Sequence, residues 1–118
     1  MTDEKHIFNA EVRDVFSGDD LVLMIDLGVD ELHKRKRFRL HGVDTPNAVG
    51  MGPDTEAGKL RTYVYQLTKR QKLMVTVVSR DRNSWVGVIE VHTDTGVVNL
   101  NEDLISKGYA FKGQKVKQ

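Results

Sequence analysis

Apolar and polar residues alternate over positions 6–16, with Ile7, Val12 and Val15 among the apolar members, and this period of two predicts a first strand. Ser17-Gly18-Asp19-Asp20 follows, a run of residues that tolerate tight backbone geometry. Positions 21–27 are almost continuously apolar, which predicts a strand buried on part of both faces. A loop spans 28–32, and a third strand is expected over 34–43, with Phe38 and Leu40 on one face and Arg39 and His41 on the other. Three strands joined by short turns predict an antiparallel meander.

The period then changes. A Gly-rich loop at 47–53 ends on Pro53, which is suited to open a helix over 54–69 with Asp54 and Glu56 in its first turn. Ala57, Leu60, Val64 and Leu67 recur at helical spacing as one buried stripe, opposite Lys59, Arg61 and Arg70. Branched residues at 73–78 predict a fourth strand, 85–92 a fifth, and Asp94-Thr95-Gly96 a turn. Asn99 with Glu102 three residues on is a capping pair, and Lys107-Gly108 a stop, so a short helix is expected over 99–107. The polar tail, 111–118, is expected to fray. Three strands, a helix, two strands and a closing helix is the order of a mainly β (α+β) fold, a five-stranded OB-fold-type β-barrel with two helices. An open α+β sheet with its helices on one face has the same element order.

The chain of 118 residues is read as a single domain, 1–118. It contains no cysteine, which removes disulfides, thiolate metal sites and a cysteine nucleophile. The N-terminal residues are polar, with no apolar run long enough for a signal peptide or a membrane helix, so a soluble cytoplasmic protein without a membrane partner is expected. The net charge of +1 conceals a sorting of charges. Positions up to Glu31 are mostly acidic, whereas His33-Lys34-Arg35-Lys36-Arg37-Phe38-Arg39 is a basic run and further cations crowd 59–82. A basic face for a polyanion is one reading; solvated cations that discourage strand-edge aggregation are the other.

Candidate chemistry concentrates at 38–47, where a strand breaks at Gly42 and Pro46. Pro46 fixes its own backbone and pushes Thr45 into an extended conformation, so Asp44 and the Thr45 carbonyl sit on a stiff turn close to Arg39. Hard oxygens beside a planar guanidinium suit a cation together with a phosphate. A plain strand end with one surface ion pair would have the same sequence.

Three segments together, Ser17-Gly18-Asp19-Asp20-Leu21-Val22-Leu23, Phe38-Arg39-Leu40-His41-Gly42-Val43-Asp44-Thr45-Pro46, and the closing stretch from Val98 to Ala110, make the chain resemble the staphylococcal nuclease-like (thermonuclease) family over nearly its whole length. The resemblance implies an OB-type barrel and a calcium-dependent phosphodiesterase site. By position it implies Asp19 and Asp44 as metal carboxylates, the Thr45 carbonyl as a further ligand, and Arg39 as the grip on the scissile phosphate. Asp20 falls where the family often has threonine and offers one more metal oxygen.

The chain also departs from the family pattern. The glutamate that assists the attacking water is replaced by Asn47, and an amide is no base near neutral pH, so assistance of roughly two to four orders of magnitude should be missing. The family's second arginine, in a tyrosine-glycine-arginine context, corresponds to Ser84 or Trp85, depending on a one-residue gap. Beyond Ala110, the tyrosines and the third helix common in the family are expected to be missing.

His41 is a candidate replacement base, or a histidine packed at a strand end. Trp85 is a candidate base-stacking platform, or a rim tryptophan. Tyr63 and Tyr65 are assigned no function. The expected ligand is nucleic acid or a nucleotide, with Lys34, Arg35, Arg37, Arg39, Arg80, Arg82 and Trp85 as its contacts. Three functions compete: a binding module with phosphodiesterase activity weak or lost, an active calcium-dependent nuclease with a substitute base, and a protein-interaction module on a vestigial nuclease fold. The missing base and clamp favour the first.

Overall fold

The computed structural model describes residues 6–28, 32–48, 50, 52–80 and 83–108, and the backbone of 111–112. Its elements run β1 (Ile7–Ser17), β2 (Asp20–Asp26), β3 (His33–Leu40), β4 (Val43–Asp44), α1 (Glu56–Thr68), β5 (Lys72–Arg80), β6 (Trp85–Thr93), β7 (Gly96–Asn99), α2 (Leu100–Ser106) and β8 (Phe111–Lys112).

β1 is long enough to serve two partners, pairing with β2 along most of its length and with β5 through Ile7 to Ala10. Register shifts between Val12 and Asp14 and between Val15 and Ser17 let it bend, as bulges do in strands that wrap a barrel. β2 pairs antiparallel with β3, and β5 with β6. A short parallel pairing of β3 with β6, Phe38 to Trp85 through Leu40 to Gly87, closes the circuit β1-β2-β3-β6-β5. The result is a closed five-stranded barrel of OB type with two helices, as the element order predicts, and not the open sheet.

Alternation along the strands fills the barrel. Leu21, Leu23 and Ile25 of β2, Phe38 and Leu40 of β3, Leu73, Val75 and Val77 of β5, and Ile89 and Val91 of β6 are all buried in one core cluster. Val22 is buried as well, consistent with a β2 covered on part of both faces. α1 contributes Leu60 and Val64, and α2 contributes Leu100 and Leu104. Gly87 lies where the strands approach closely, since a Cβ there would run into the Thr76 carbonyl of β5 and the Phe38 ring.

Several boundaries differ from the sequence expectation for identifiable reasons. The third strand stops at Leu40, because Gly42 takes a positive φ of 73° and turns the chain before Val43 and Asp44 resume as β4. α1 begins at Glu56 and not at Asp54: Thr55 is the N-cap, its hydroxyl accepting from the Gly58 amide at 3.0 Å, while Pro53 precedes it in a turn. Within α1 Thr68 is fully buried, which its hydroxyl permits by donating to the Val64 carbonyl at 2.8 Å. After the turn at 94–96 the chain pairs back on β6 as β7, a hairpin strand absent from the sequence reading. The expected frayed tail is also corrected at its start, since Phe111 and Lys112 pair with Asp44 and Val43; 113–118 lie outside the described residues.

α2 is capped as its sequence predicts, with the Asn99 side chain accepting from the Glu102 amide at 3.0 Å. Among the described residues, no helix is long and apolar enough to cross a membrane.

Candidate functional site at the barrel rim

The β1–β2 turn and the end of β3 meet because β2 and β3 are paired to their limits: Asp20 stands opposite Arg39, and the Leu40 amide donates to the Asp19 carbonyl at 3.0 Å. The turn beyond Gly42 then folds over Gly18. A Cβ on Gly18 would press on the Leu60 side chain at 2.8 Å and on Thr45 Cγ2 at 3.0 Å, so glycine admits both α1 and the Thr45–Pro46 turn. This packing brings Thr45 onto Asp19. The Thr45 hydroxyl donates to Asp19 Oδ1 at 2.9 Å and lies 3.2 Å from the Asp19 amide, which donates to it.

Asp19 is only 9% exposed. Burial raises the pKa of its carboxyl above the ordinary value of 3.8, against the lowering effects of the Thr45 hydrogen bond and of the Arg39 charge. The Arg39 charge and the Thr45 hydrogen bond only partly offset the desolvation of this carboxyl. Arg39 itself is exposed and in no ion pair among the described residues.

Asp44 belongs to β4, one residue before Thr45. On the far side of Pro46, Asn47 Oδ1 lies 3.5 Å from the hydroxyl of buried Ser17, and that hydroxyl accepts from the Ala48 amide at 2.9 Å. Asp19, Arg39, Thr45 and Asn47 therefore gather around the Gly18 turn with Asp44 beside them in the chain. The sequence reading pointed to the Thr45 carbonyl as a ligand; the atom that meets Asp19 is the hydroxyl.

Asp20 turns to the outer face of the barrel. Its two oxygens take a bidentate grip from Arg37, at 2.9 Å from Nε and 2.6 Å from Nη2, and the guanidinium also lies 5.1 Å from the Phe16 ring centroid. Arg37 is thus already paired, and Asp20 is engaged away from Thr45. Lys34 and Arg35, both exposed, stand opposite Ile25 and Met24. Arg82 lies outside the described residues.

Neither Ser84 nor Trp85, the two sequence candidates for a second arginine position, is registered beside Arg39. Ser84 is buried and precedes β6. Trp85 shares the interior alternation of Gly87 and Ile89, and its ring packs 5.4 Å from Phe8 under the Arg80 guanidinium, 4.7 Å away. The residue registered beside Arg39 on the parallel neighbour is Val86. No positive side chain stands there.

His41 is exposed. Its amide donates to the Gly87 carbonyl at 2.7 Å, and its carbonyl accepts from Asn101 Nδ2 at 2.9 Å. Buried Asn101, not singled out from the sequence, also donates to the Gly87 carbonyl at 3.1 Å and accepts from the Ile89 amide at 3.1 Å. It locks the end of β3 and the start of β6 to α2.

A cleft of about 370 Å³ borders the rim, lined by Pro46, Glu56, Lys59, Leu60, Tyr63 and Gly108. The Tyr63 hydroxyl donates to Asp103 at 2.6 Å and accepts from Lys107 at 2.9 Å, which ties α1 to α2.

The donor set is hard oxygen, which suits calcium, and an under-compensated buried carboxylate is what a cation would relieve. Among the described residues no three His, Cys, Asp or Glu side chains cluster, so water would have to fill most of a calcium ion's six to eight positions. No protein-family model and no curated protein matches the chain.

Proposed function

We propose that this barrel binds nucleic acid or phosphate-bearing ligands at the rim built by Asp19, Arg39, Asp44 and Thr45, with phosphodiester hydrolysis weak or lost. The observation that carries the reading is the contact of buried Asp19 with Thr45 beside an Arg39 that is in no ion pair among the described residues. An arginine in no ion pair among the described residues is a ready partner for a phosphate. Asp19 and Asp44, with an oxygen of Thr45, are the groups that would hold calcium; a bound cation would supply Lewis-acid polarisation of the phosphate.

The loss of hydrolysis follows from what stands around these groups. Asn47 can orient a water through its amide but cannot take its proton. Val86 offers no charge to share the developing negative charge with Arg39. This combination favours retention of a ligand over turnover, which supports reading the chain as a binding member of the staphylococcal nuclease-like barrels.

Labelled single-stranded DNA and RNA incubated with calcium, then with chelator, test the reading, with Asp44→Ala as control. Retention of the strand without cleavage is the expected result. Cleavage that is abolished both by chelator and in the control would replace it with an active nuclease.

A further inference from the structure

Away from the Gly18 turn, four strands each carry one side chain past the last layer of the core. Phe8 continues the inward alternation of Ala10, Lys36 that of Phe38, and Trp85 that of Gly87; Arg80 stands directly opposite Trp85 in the β5–β6 register. These four groups converge. The Phe8 and Trp85 rings are 5.4 Å apart and tilted by 36°. The Arg80 guanidinium lies 4.7 Å from the Trp85 centroid and 5.9 Å from that of Phe8, and Lys36 Nζ is 5.7 Å from the Trp85 centroid.

Two features separate this cluster from a simple barrel plug. Neither Lys36 nor Arg80 is in an ion pair among the described residues, so the aromatic pair is dressed with cations that have no described counter-anion. The Trp85 backbone also stands beside that of Phe38, one register position before Arg39 and Val86, with the Trp85 side chain on the inner and that of Arg39 on the outer face of the barrel. One strand spacing of about 4.8 Å and one rise of about 3.3 Å separate the Trp85 and Arg39 backbones, a step on the scale of a single nucleotide.

We propose that Phe8, Trp85 and Arg80 form a base-stacking site for single-stranded nucleic acid, deepening the phosphate-binding reading of the rim on which it rests. An unpaired base takes the place of the Arg80 guanidinium on the indole face, and Arg80 turns to an adjoining phosphate while Lys36 stays beside the ring. A duplex is excluded, since its bases present their faces only to one another. Aromatic platforms of this kind accept any base, so the site selects strandedness and not sequence.

Trp85 is the only tryptophan, so its fluorescence reports this site alone. The experiment titrates the full chain at low salt with a short fluorescein-labelled oligothymidylate and with a duplex of equal length, following tryptophan emission and, separately, the anisotropy of the label. The expected result is quenching by the single strand only. Trp85→Ala should weaken single-strand binding by about 5- to 150-fold, the range of one base stacked on an aromatic ring. Trp85→Phe should retain most of the affinity, and binding of inorganic pyrophosphate at the rim, measured by calorimetry, should be unchanged in both variants.

If Trp85→Ala fails to fold, quenching in the wild type and weakened single-strand binding by Arg80→Gln decide the matter. Binding of the single strand without quenching, with its affinity unaltered by Arg80→Gln, would overturn the stacking site while leaving the rim intact. Equal quenching by duplex would also overturn it. Absence of binding by either polymer and by pyrophosphate would remove the rim reading along with it.

Discussion

Asp19, the buried carboxyl of the rim, is its least comfortable residue. Its carboxyl is buried, its folded pKa is raised chiefly by desolvation, and the Thr45 and Arg39 contributions only partly offset that. The native state therefore holds this proton more tightly than the unfolded chain does. Stability contributed through this group falls as pH rises from the ordinary value of 3.8 through the raised one, and stays lower above it. In chelator, Asp19→Asn should remove that dependence and melt higher than wild type at neutral pH, because the amide oxygen still accepts from Thr45 and no buried charge remains. Calcium should reverse the order. A ligand at one hundred times its dissociation constant stabilises by about 2.7 kcal/mol, and only the wild type should gain it. Thermal melts of both proteins with and without calcium read this directly, and a variant no more stable than wild type in chelator would show that Arg39 and Thr45 already compensate the charge.

At the scale of elements, the barrel strands and the α2 cap were legible because their signals are local: period-two alternation marks β1 and β3, a continuous apolar run marks β2, and Asn99 with Glu102 marks a helix start. The join between elements is carried by Asn101, which is invisible to any local pattern. Its amide satisfies the Ile89 N–H and the His41 and Gly87 carbonyls at once. Asn101→Ala removes this partner from the Ile89 amide and the His41 carbonyl, while the Gly87 carbonyl keeps the His41 amide, and should cost about 1–3 kcal/mol, read as a lower urea midpoint with an unchanged slope. Similar reasoning explains what else the sequence withheld. The β4–β8 pairing joins segments far apart in the chain, so Phe111 and Lys112 looked like tail. The Asp19–Thr45 bond spans 26 residues, and a threonine next to a proline announces a stiff turn without naming the hydroxyl's partner.

Closure of the whole barrel decides which residue neighbours Arg39, and it sets the last prediction. In the sequence the place of a second positive charge fell on Ser84 or Trp85, because the alignment could slide by one. The parallel β3–β6 register removes that freedom. Gly87 is pinned by its close approach to Thr76 and Phe38, so Val86 stands beside Arg39 on the outward face, while Trp85 points to the aromatic cluster and Ser84 is buried. If the rim is the nuclease-like site proposed above, raising hydrolysis calls for Asn47→Glu and Val86→Arg. The first returns a base, worth roughly two to four orders of magnitude where geometry allows, and the second returns a charge to the phosphate. Asn47→Glu should raise the calcium-dependent cleavage of labelled single-stranded DNA above the wild-type background, and the double variant should exceed it, with gains that need not multiply because both groups act on one transition state. Arginine at Ser84 should do nothing except destabilise, since that side chain is buried. Val86 is only partly covered, so Val86→Arg keeps its stem on the barrel wall and its head in solvent. A folded, calcium-binding double variant that stays inert would mean that Asp44 and Arg39 no longer address one phosphate. A wild type that already cleaves at the rate of the double variant would mean that a different group activates the water.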